Sequence, residues 1–83
     1  MSEIRILGVL VETRSDAALK LQEVLTKYGC SIRTRLGIHG QNVAGCKNCG
    51  LIILELHGNV DECIRLENEL WTMDGVKVQK MVF

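Results

Sequence analysis

The sequence carries one strand–helix–strand pattern twice, and this repetition constrains the fold more than any other feature. Two apolar segments rich in branched residues, 4–12 and 51–57, are each followed by apolar residues at helical spacing. An alternating segment, 30–38 or 76–83, then completes each unit. Two such units in succession predict the order βαββαβ. That order is typical of the ferredoxin-like α+β sandwich, with one antiparallel four-stranded sheet and both helices on a single face.

Polar residues and glycines mark the ends of both predicted helices. Ser15 is the predicted N-cap of the first helix, and Gly29 is predicted to end it in the left-handed conformation. Asn59 is the predicted N-cap of the second helix, and Glu62 three residues later is placed to complete a capping box. Gly75 is predicted to stop the second helix, and the sequence contains no proline that would break an element.

The chain is short for a fold that must be stable alone. Its 83 residues predict a single domain, 1–83. A domain of this size buries roughly 60–65% of its unfolded surface, so its core is thin. Many domains this small gain further stability from oligomerisation, a metal ion or disulfides.

The charge balance and the length of the apolar runs restrict the partners. Ten basic residues cancel ten acidic ones, so a basic surface for nucleic acid is not expected. The longest apolar run is far shorter than the roughly 20 residues of a membrane span, and the first residues have no signal-peptide pattern. We therefore expect a cytoplasmic protein that contacts neither nucleic acid nor membrane directly and keeps its cysteines reduced.

The first and third predicted strands are apolar on both faces. Leu7 and Val9 alternate with Ile6 and Leu10, and the segment 51–56 repeats this pattern. Two helices cover only one face of such a sheet, and an apolar face of several hundred Å² is rare on a monomer. We therefore expect a second copy of the chain to cover the open sheet face, in a two-fold dimer or a tetramer.

The second predicted strand alternates apolar and basic residues. This spacing predicts a half-buried strand with Ile32 and Leu36 on one face and Arg33 and Arg35 on the other. The two arginines could hold an anion or pair with acidic residues across an interface. A solvated or interface-paired face is the simpler interpretation.

The segment between the second and third strands contains the only metal-type motif. Cys46 and Cys49 form a C-x-x-C-G pattern, whose spacing lets two thiolates converge on one ion. Tetrahedral zinc or iron needs further ligands, and His39, Cys30 or the cysteines of a second copy could supply them. A single C-x-x-C also occurs in loops whose thiols bind nothing. A redox dithiol is disfavoured because such motifs precede a helix, whereas this one precedes a strand.

The remaining candidates have structural interpretations. Cys63 lies on the apolar side of the second predicted helix and is expected to be buried. Trp71 and Met73 are expected to fill the space between helix and sheet, and His57 to take part in a turn. Serine–histidine–acid sets, phosphate loops, H-E-x-x-H motifs and paired catalytic carboxylates are all missing, so we do not expect an enzyme.

Four stretches together resemble a known family. They are Ile-Arg-Ile-Leu-Gly-Val-Leu-Val-Glu at 4–12, Arg-Leu-Gly-Ile at 35–38, Gly-Leu-Ile-Ile-Leu-Glu-Leu at 50–56 and Met-Asp-Gly-Val-Lys-Val at 73–78. The pattern resembles the short ACT-like proteins described as regulators of the iron-only hydrogenase system. Those proteins are similar in fold to the effector domain of nickel-responsive repressors. The resemblance implies a cytoplasmic, oligomeric regulatory or ligand-sensing module with no catalytic residues.

The chain departs from these relatives at two places. ACT domains often bind amino acids at a glycine-containing loop after the first strand, but residues 13–15 contain no glycine. Nickel-responsive repressors place a DNA-binding segment before the effector domain, whereas the first strand here is predicted to begin at residue 4. The sequence thus favours a homo-oligomeric regulatory module whose effector or protein partner it does not identify. The alternative is a zinc- or iron-binding protein that uses Cys46, Cys49 and His39.

Overall fold

The computed structural model describes residues 3–12, 16–38 and 49–83. These residues form four strands and two helices in the predicted order, with a short 3₁₀ turn ahead of the second strand. The elements are β1 Arg5–Glu12, α1 Ala17–Lys27, the 3₁₀ turn Gly29–Ser31, β2 Ile32–Ile38, β3 Cys49–Leu56, α2 Val60–Trp71 and β4 Val76–Val82.

The strands form one sheet in the order β2-β3-β1-β4. Each neighbouring pair is antiparallel, with β1 and β3 in the middle. Leu7 of β1 lies opposite Leu54 of β3 and Lys80 of β4, and this register fixes which residues share a face. The predicted ferredoxin-like α+β sandwich is confirmed; the single domain 1–83 stays a prediction.

The two faces of the sheet have different surroundings. Alternate residues of the central strands are buried in one core with residues of both helices. We call this the covered face; its buried residues are Arg5, Leu7, Val9, Val11, Ile52, Leu54, Leu56 and Val78. The opposite side is the open face. Its three full rows consist of Thr34, Leu36, Ile38, Leu51, Ile53, Glu55, Ile6, Gly8, Leu10, Lys77, Gln79 and Met81, and Glu12 and Cys49 continue the same side beyond the last row.

The ends of α1 differ from the prediction. The helix begins at Ala17 with Asp16 at the N-cap position, and Asp16 makes no side-chain capping bond. Ser15 lies outside the described residues. Gly29 does not adopt the left-handed conformation; within the described chain only Gly58 and Gly75 have positive φ. The backbone tightens into the 3₁₀ turn instead, with the Ser31 N–H donating to the Tyr28 carbonyl at 2.9 Å.

The predicted N-cap of α2 is confirmed. The Asn59 Oδ1 accepts hydrogen bonds from the backbone N–H groups of Asp61 at 2.8 Å and Glu62 at 3.2 Å. The Glu62 carboxylate pairs with Arg65 one turn along the helix. Gly75 has φ 76° and reverses the chain before β4.

The prediction for β2 is wrong in two respects. The strand is not half-buried: Leu36 is 56% exposed and Ile38 40%, because their side is the open face. A register shift between Ile32 and Thr34 also breaks the alternation, so that Ile32 packs against the core while Leu36 and Ile38 do not.

The helices are short. Among residues 3–12, 16–38 and 49–83, the structure contains no helix with the length and apolar character that a membrane crossing requires.

Candidate functional site

The predicted metal ligands are only partly described. Cys46 and His39 lie outside the described residues. Cys49 begins β3 opposite Glu12 and is disulfide-bonded, so its sulfur is not the free thiolate that binds metal. Within residues 3–12, 16–38 and 49–83, no three histidine, cysteine, aspartate or glutamate side chains are grouped to hold an ion. The metal site therefore stays a prediction, and it applies to the protein in which the disulfide of Cys49 is reduced.

The two free cysteines of the described chain have different environments. Cys30 is exposed in the 3₁₀ turn, whereas Cys63 is buried on α2 as predicted. The Cys63 thiol contacts the His57 carbonyl at 3.5 Å, and burial raises its pKa. The His57 backbone N–H donates to the Ser31 carbonyl at 2.9 Å, which agrees with the turn role expected for His57. Cys63 and His57 therefore have structural roles at this end of the sheet.

A buried ion-pair network lies at one end of the covered face. The Arg5 guanidinium donates to Glu67 of α2 at 2.7 Å and to Glu3 at 2.7 Å. The second carboxylate oxygen of Glu67 contacts the Lys80 Nζ of β4 at 2.9 Å. The hydrogen bond with Glu3 raises the pKa of Arg5, against the effect of burial. These charges are matched within the chain, so they join α2 to two strands and leave no net charge exposed.

The open face is a continuous apolar surface. Its residues lie in three rows across the four strands, as the register requires. Seven of the twelve are large apolar residues: Ile6, Leu10, Leu36, Ile38, Leu51, Ile53 and Met81. Leu36, Ile38 and Met81 are 40–56% exposed, and no element of the described chain covers them. The sequence expectation of a bare apolar face is therefore met.

The centre of the open face is a shallow depression. It lies at Gly8, which has no side chain, and its walls include Ile6, Ile53, Gln79 and Met81. A Cβ atom at Gly8 would lie 3.9 Å from the Gln79 carbonyl oxygen and 3.9 Å from the Ile53 Cδ1. The subunit itself would therefore tolerate a side chain here, so its own packing does not require glycine.

The two arginines of β2 do not form a joint site. Arg35 reaches the side-chain oxygen of Gln22 on α1. Arg33 lies at the register shift and approaches Glu55 only at 3.9 Å. Glu55 is held more closely by the Thr34 hydroxyl, which donates to it at 2.8 Å. An anion site on paired arginines is therefore not formed in this arrangement.

Trp71 does not fill the space between helix and sheet. Its side chain is 59% exposed, whereas Met73 packs against the core as expected. The buried side of α2 is set by Cys63, Leu66, Glu67 and Leu70, and Trp71 is turned away from the middle of that stripe.

Fold and surface together define the class: a small ferredoxin-like α+β domain with helices on one sheet face and a bare apolar surface on the other. The model of the TM1266-like family, described as "Iron-only hydrogenase system regulator, putative", matches residues 3–80, and the chain belongs to this family. The chain is also similar to a solved structure, the uncharacterized protein TM1266 from Thermotoga maritima. The TM-score is 0.81 at 26% identity, over 99% of each chain. Curated proteins offer no match.

The resemblance to the hydrogenase-regulator family is thus confirmed. The more distant likeness to ACT domains and nickel-responsive repressors stays a prediction.

The pairing of Arg5 with Glu67 was missed by sequence reasoning. The spacing of the sequence contained the signal. Arg5 alternates in step with Leu7 and Val9 and so shares their strand face, and Glu67 lies between Leu66 and Leu70 on the buried side of α2. Charged residues at core positions of two elements predict that each is the partner of the other.

Proposed function

We propose that this protein is a non-catalytic regulatory module of the iron-only hydrogenase system that senses an effector or protein partner as a homo-oligomer. Membership of a family described as a regulator supports the regulatory role and the absence of catalysis. The observation that carries the oligomer is the open face, whose apolar rows nothing in the described chain covers.

The physical argument for a second copy is the cost of leaving this surface in water. Buried apolar area contributes roughly 25 cal/mol per Å². Four strands at about 4.8 Å spacing and three rows about 6.8 Å apart give the face about 300–400 Å² in projection. A face of that extent on a monomeric protein usually marks an interaction site. A second identical face is its natural complement, since the formal net charge is zero and offers little repulsion.

The oligomer is tested by the mass of the purified protein. Light scattering across micromolar concentrations is expected to give a dimer or tetramer of the 9.3 kDa chain. A constant monomer mass over that range would contradict the homo-oligomer.

The regulatory role is tested in a host that carries an iron-only hydrogenase and this gene. Deleting the gene is expected to change hydrogenase transcript level or activity, and the wild-type gene is expected to restore it. Unchanged transcript and activity under hydrogenase-inducing conditions would contradict the role. The two tests are independent, because the formation of a dimer does not depend on what the protein regulates.

A further inference from the structure

Two charged residues lie within the three full rows of the open face, and they are placed symmetrically about Gly8; Glu12 lies beyond these rows, at the end of β1. Glu55 of β3 lies opposite Ile6, two residues before Gly8 in β1. Lys77 of β4 lies opposite Leu10, two residues after Gly8. Since β3 and β4 flank β1 on opposite sides, Gly8 is the midpoint of the line that joins Glu55 to Lys77.

These two charges cannot neutralise each other within one chain. With strands about 4.8 Å apart and a rise of about 3.4 Å per residue, their Cα atoms are about 17 Å apart. Glu55 has the Thr34 hydroxyl and a long contact with Arg33. Lys77 makes no ion pair with any residue in the described part of the chain. Covering the face with an apolar partner would therefore leave the Lys77 ammonium without a counterion and the Glu55 carboxylate with only the long contact to Arg33.

We propose that two copies pack open face to open face about a two-fold axis at Gly8, and that Glu55 of each copy pairs with Lys77 of the other. This arrangement rests on the homo-oligomer proposed above and specifies its geometry. A two-fold axis between the sheets, perpendicular to the Glu55–Lys77 line, exchanges the two positions. Each copy then supplies one acid and one base, and two equivalent ion pairs form.

The same axis accounts for the depression at Gly8. A residue on a two-fold axis meets its own counterpart, and glycine allows the two backbones to approach there. The axis also brings Ile53 of one copy close to Leu10 of the other, so large side chains of each copy surround the depression. From the strand spacing and rise, the strands of the two copies cross at about 70°, which is close to the orthogonal class of sheet packings.

Simpler axes fit the charges less well. An axis parallel to the strands, through the middle of the sheet, would place Glu55 over Ile6 of the other copy. An axis at right angles to the strands through Gly8 would place Glu55 over Leu51. Both would desolvate the Glu55 carboxylate against an apolar side chain with only its contacts to Thr34 and Arg33, and neither would give it a partner on the second copy. The ion pairs thus select the orientation of the copies, while the apolar rows supply most of the affinity.

The experiment exchanges the two charges. Glu55→Lys alone places two lysines together at both contacts, and Lys77→Glu alone places two glutamates together. Each single variant is expected to raise the dimer dissociation constant about tenfold or more, equivalent to about 1.4 kcal/mol. The double variant Glu55→Lys/Lys77→Glu restores both pairs and is expected to dimerise within about threefold of wild type. Sedimentation equilibrium at low salt measures all four proteins, and circular dichroism checks the fold.

Two further measurements test whether a loss of association in the single variants has another cause, such as misfolding or a general effect of charge. An equimolar mixture of the two single variants is expected to form heterodimers, because each heterodimer contains two opposite-charge contacts. The same charge changes on the exposed side of α1, Lys20→Glu and Glu23→Lys, are the matched controls and are expected to leave dimerisation unchanged.

The outcomes separate this arrangement from the oligomer itself. A monomeric wild-type protein overturns both. A wild-type dimer whose single variants associate normally overturns the pairing and leaves the oligomer standing. If neither the double variant nor the mixture recovers association, the pairing of Glu55 with Lys77 is likewise overturned while the oligomer stands.

Discussion

The covered and open faces belong to the same strands but satisfy their charges differently. On the covered face, Arg5 and Glu67 meet at 2.7 Å within one chain. On the open face, Glu55 and Lys77 lie on either side of Gly8, too far apart to meet. Both faces are apolar, so they differ in what satisfies their charges. The chain's own helices complete the covered face, whereas in the arrangement proposed above a second copy pairs with the charges of the open face.

Two neighbouring residues of β3 provide the most direct test of this contrast. Leu54 is fully buried on the covered face, and Ile53 lies on the open face. Leu54→Ala is expected to lower the free energy of unfolding by about 3–4 kcal/mol, through lost burial and a new cavity. Ile53→Ala is expected to change subunit stability by about 1 kcal/mol or less but to weaken association.

Urea unfolding at a concentration that keeps the subunits apart measures the first effect, and light scattering measures the second. Equal losses of subunit stability in the two variants would mean that the faces do not differ as described.

The charge pair on the covered face gives the next largest effect. Glu67→Ala leaves the Arg5 guanidinium buried with only Glu3, and is expected to cost about 3 kcal/mol of unfolding free energy. Asn68→Ala, at the adjacent exposed position, is the control and is expected to stay within about 0.5 kcal/mol of wild type. Replacing both partners by apolar residues, as in Arg5→Met/Glu67→Leu, is expected to recover most of the loss. A Glu67→Ala protein as stable as its control would show that the pair contributes nothing to the covered face.

Sequence patterns predicted the central strands β1 and β3 well and the edge strand β2 poorly. In β1 the double-sided apolar run specifies a middle strand, and both faces follow from strict alternation through Leu7 and Val9. In β2 one extra residue at Arg33 changes which side faces the helices, and local spacing cannot reveal such a bulge. The exposure of Leu36 depends on what covers the sheet, which is a property of the whole fold.

The same reasoning separates the parts of the candidate site. The bare apolar face was predictable because the number of helices limits what a sheet can cover. The symmetry of Glu55 and Lys77 about Gly8 was not, because it depends on the exact register of β1 with both neighbours. Register is set by pairing between distant segments, and a shift of one residue in β3 or β4 would move the charge of that strand to the covered face.

Gly8 gives the smallest effect on the subunit and tests the open face at its centre. Its added Cβ would meet neighbouring atoms only at ordinary contact distance, so Gly8→Ala and Gly8→Lys are expected to change unfolding free energy by about 1 kcal/mol or less. Gly8→Lys should nevertheless raise the dimer dissociation constant at least tenfold, because two long cationic side chains would meet on the axis.

Gly29→Lys introduces the same side chain at an exposed position with no atom within 4 Å of the added Cβ, and is expected to leave dimerisation unchanged. Sedimentation equilibrium compares the two lysine variants, and urea unfolding confirms that both subunits remain folded. If Gly8→Lys and Gly29→Lys dimerise equally well, the copies do not meet through the open face, and its apolar rows must be covered by a different partner.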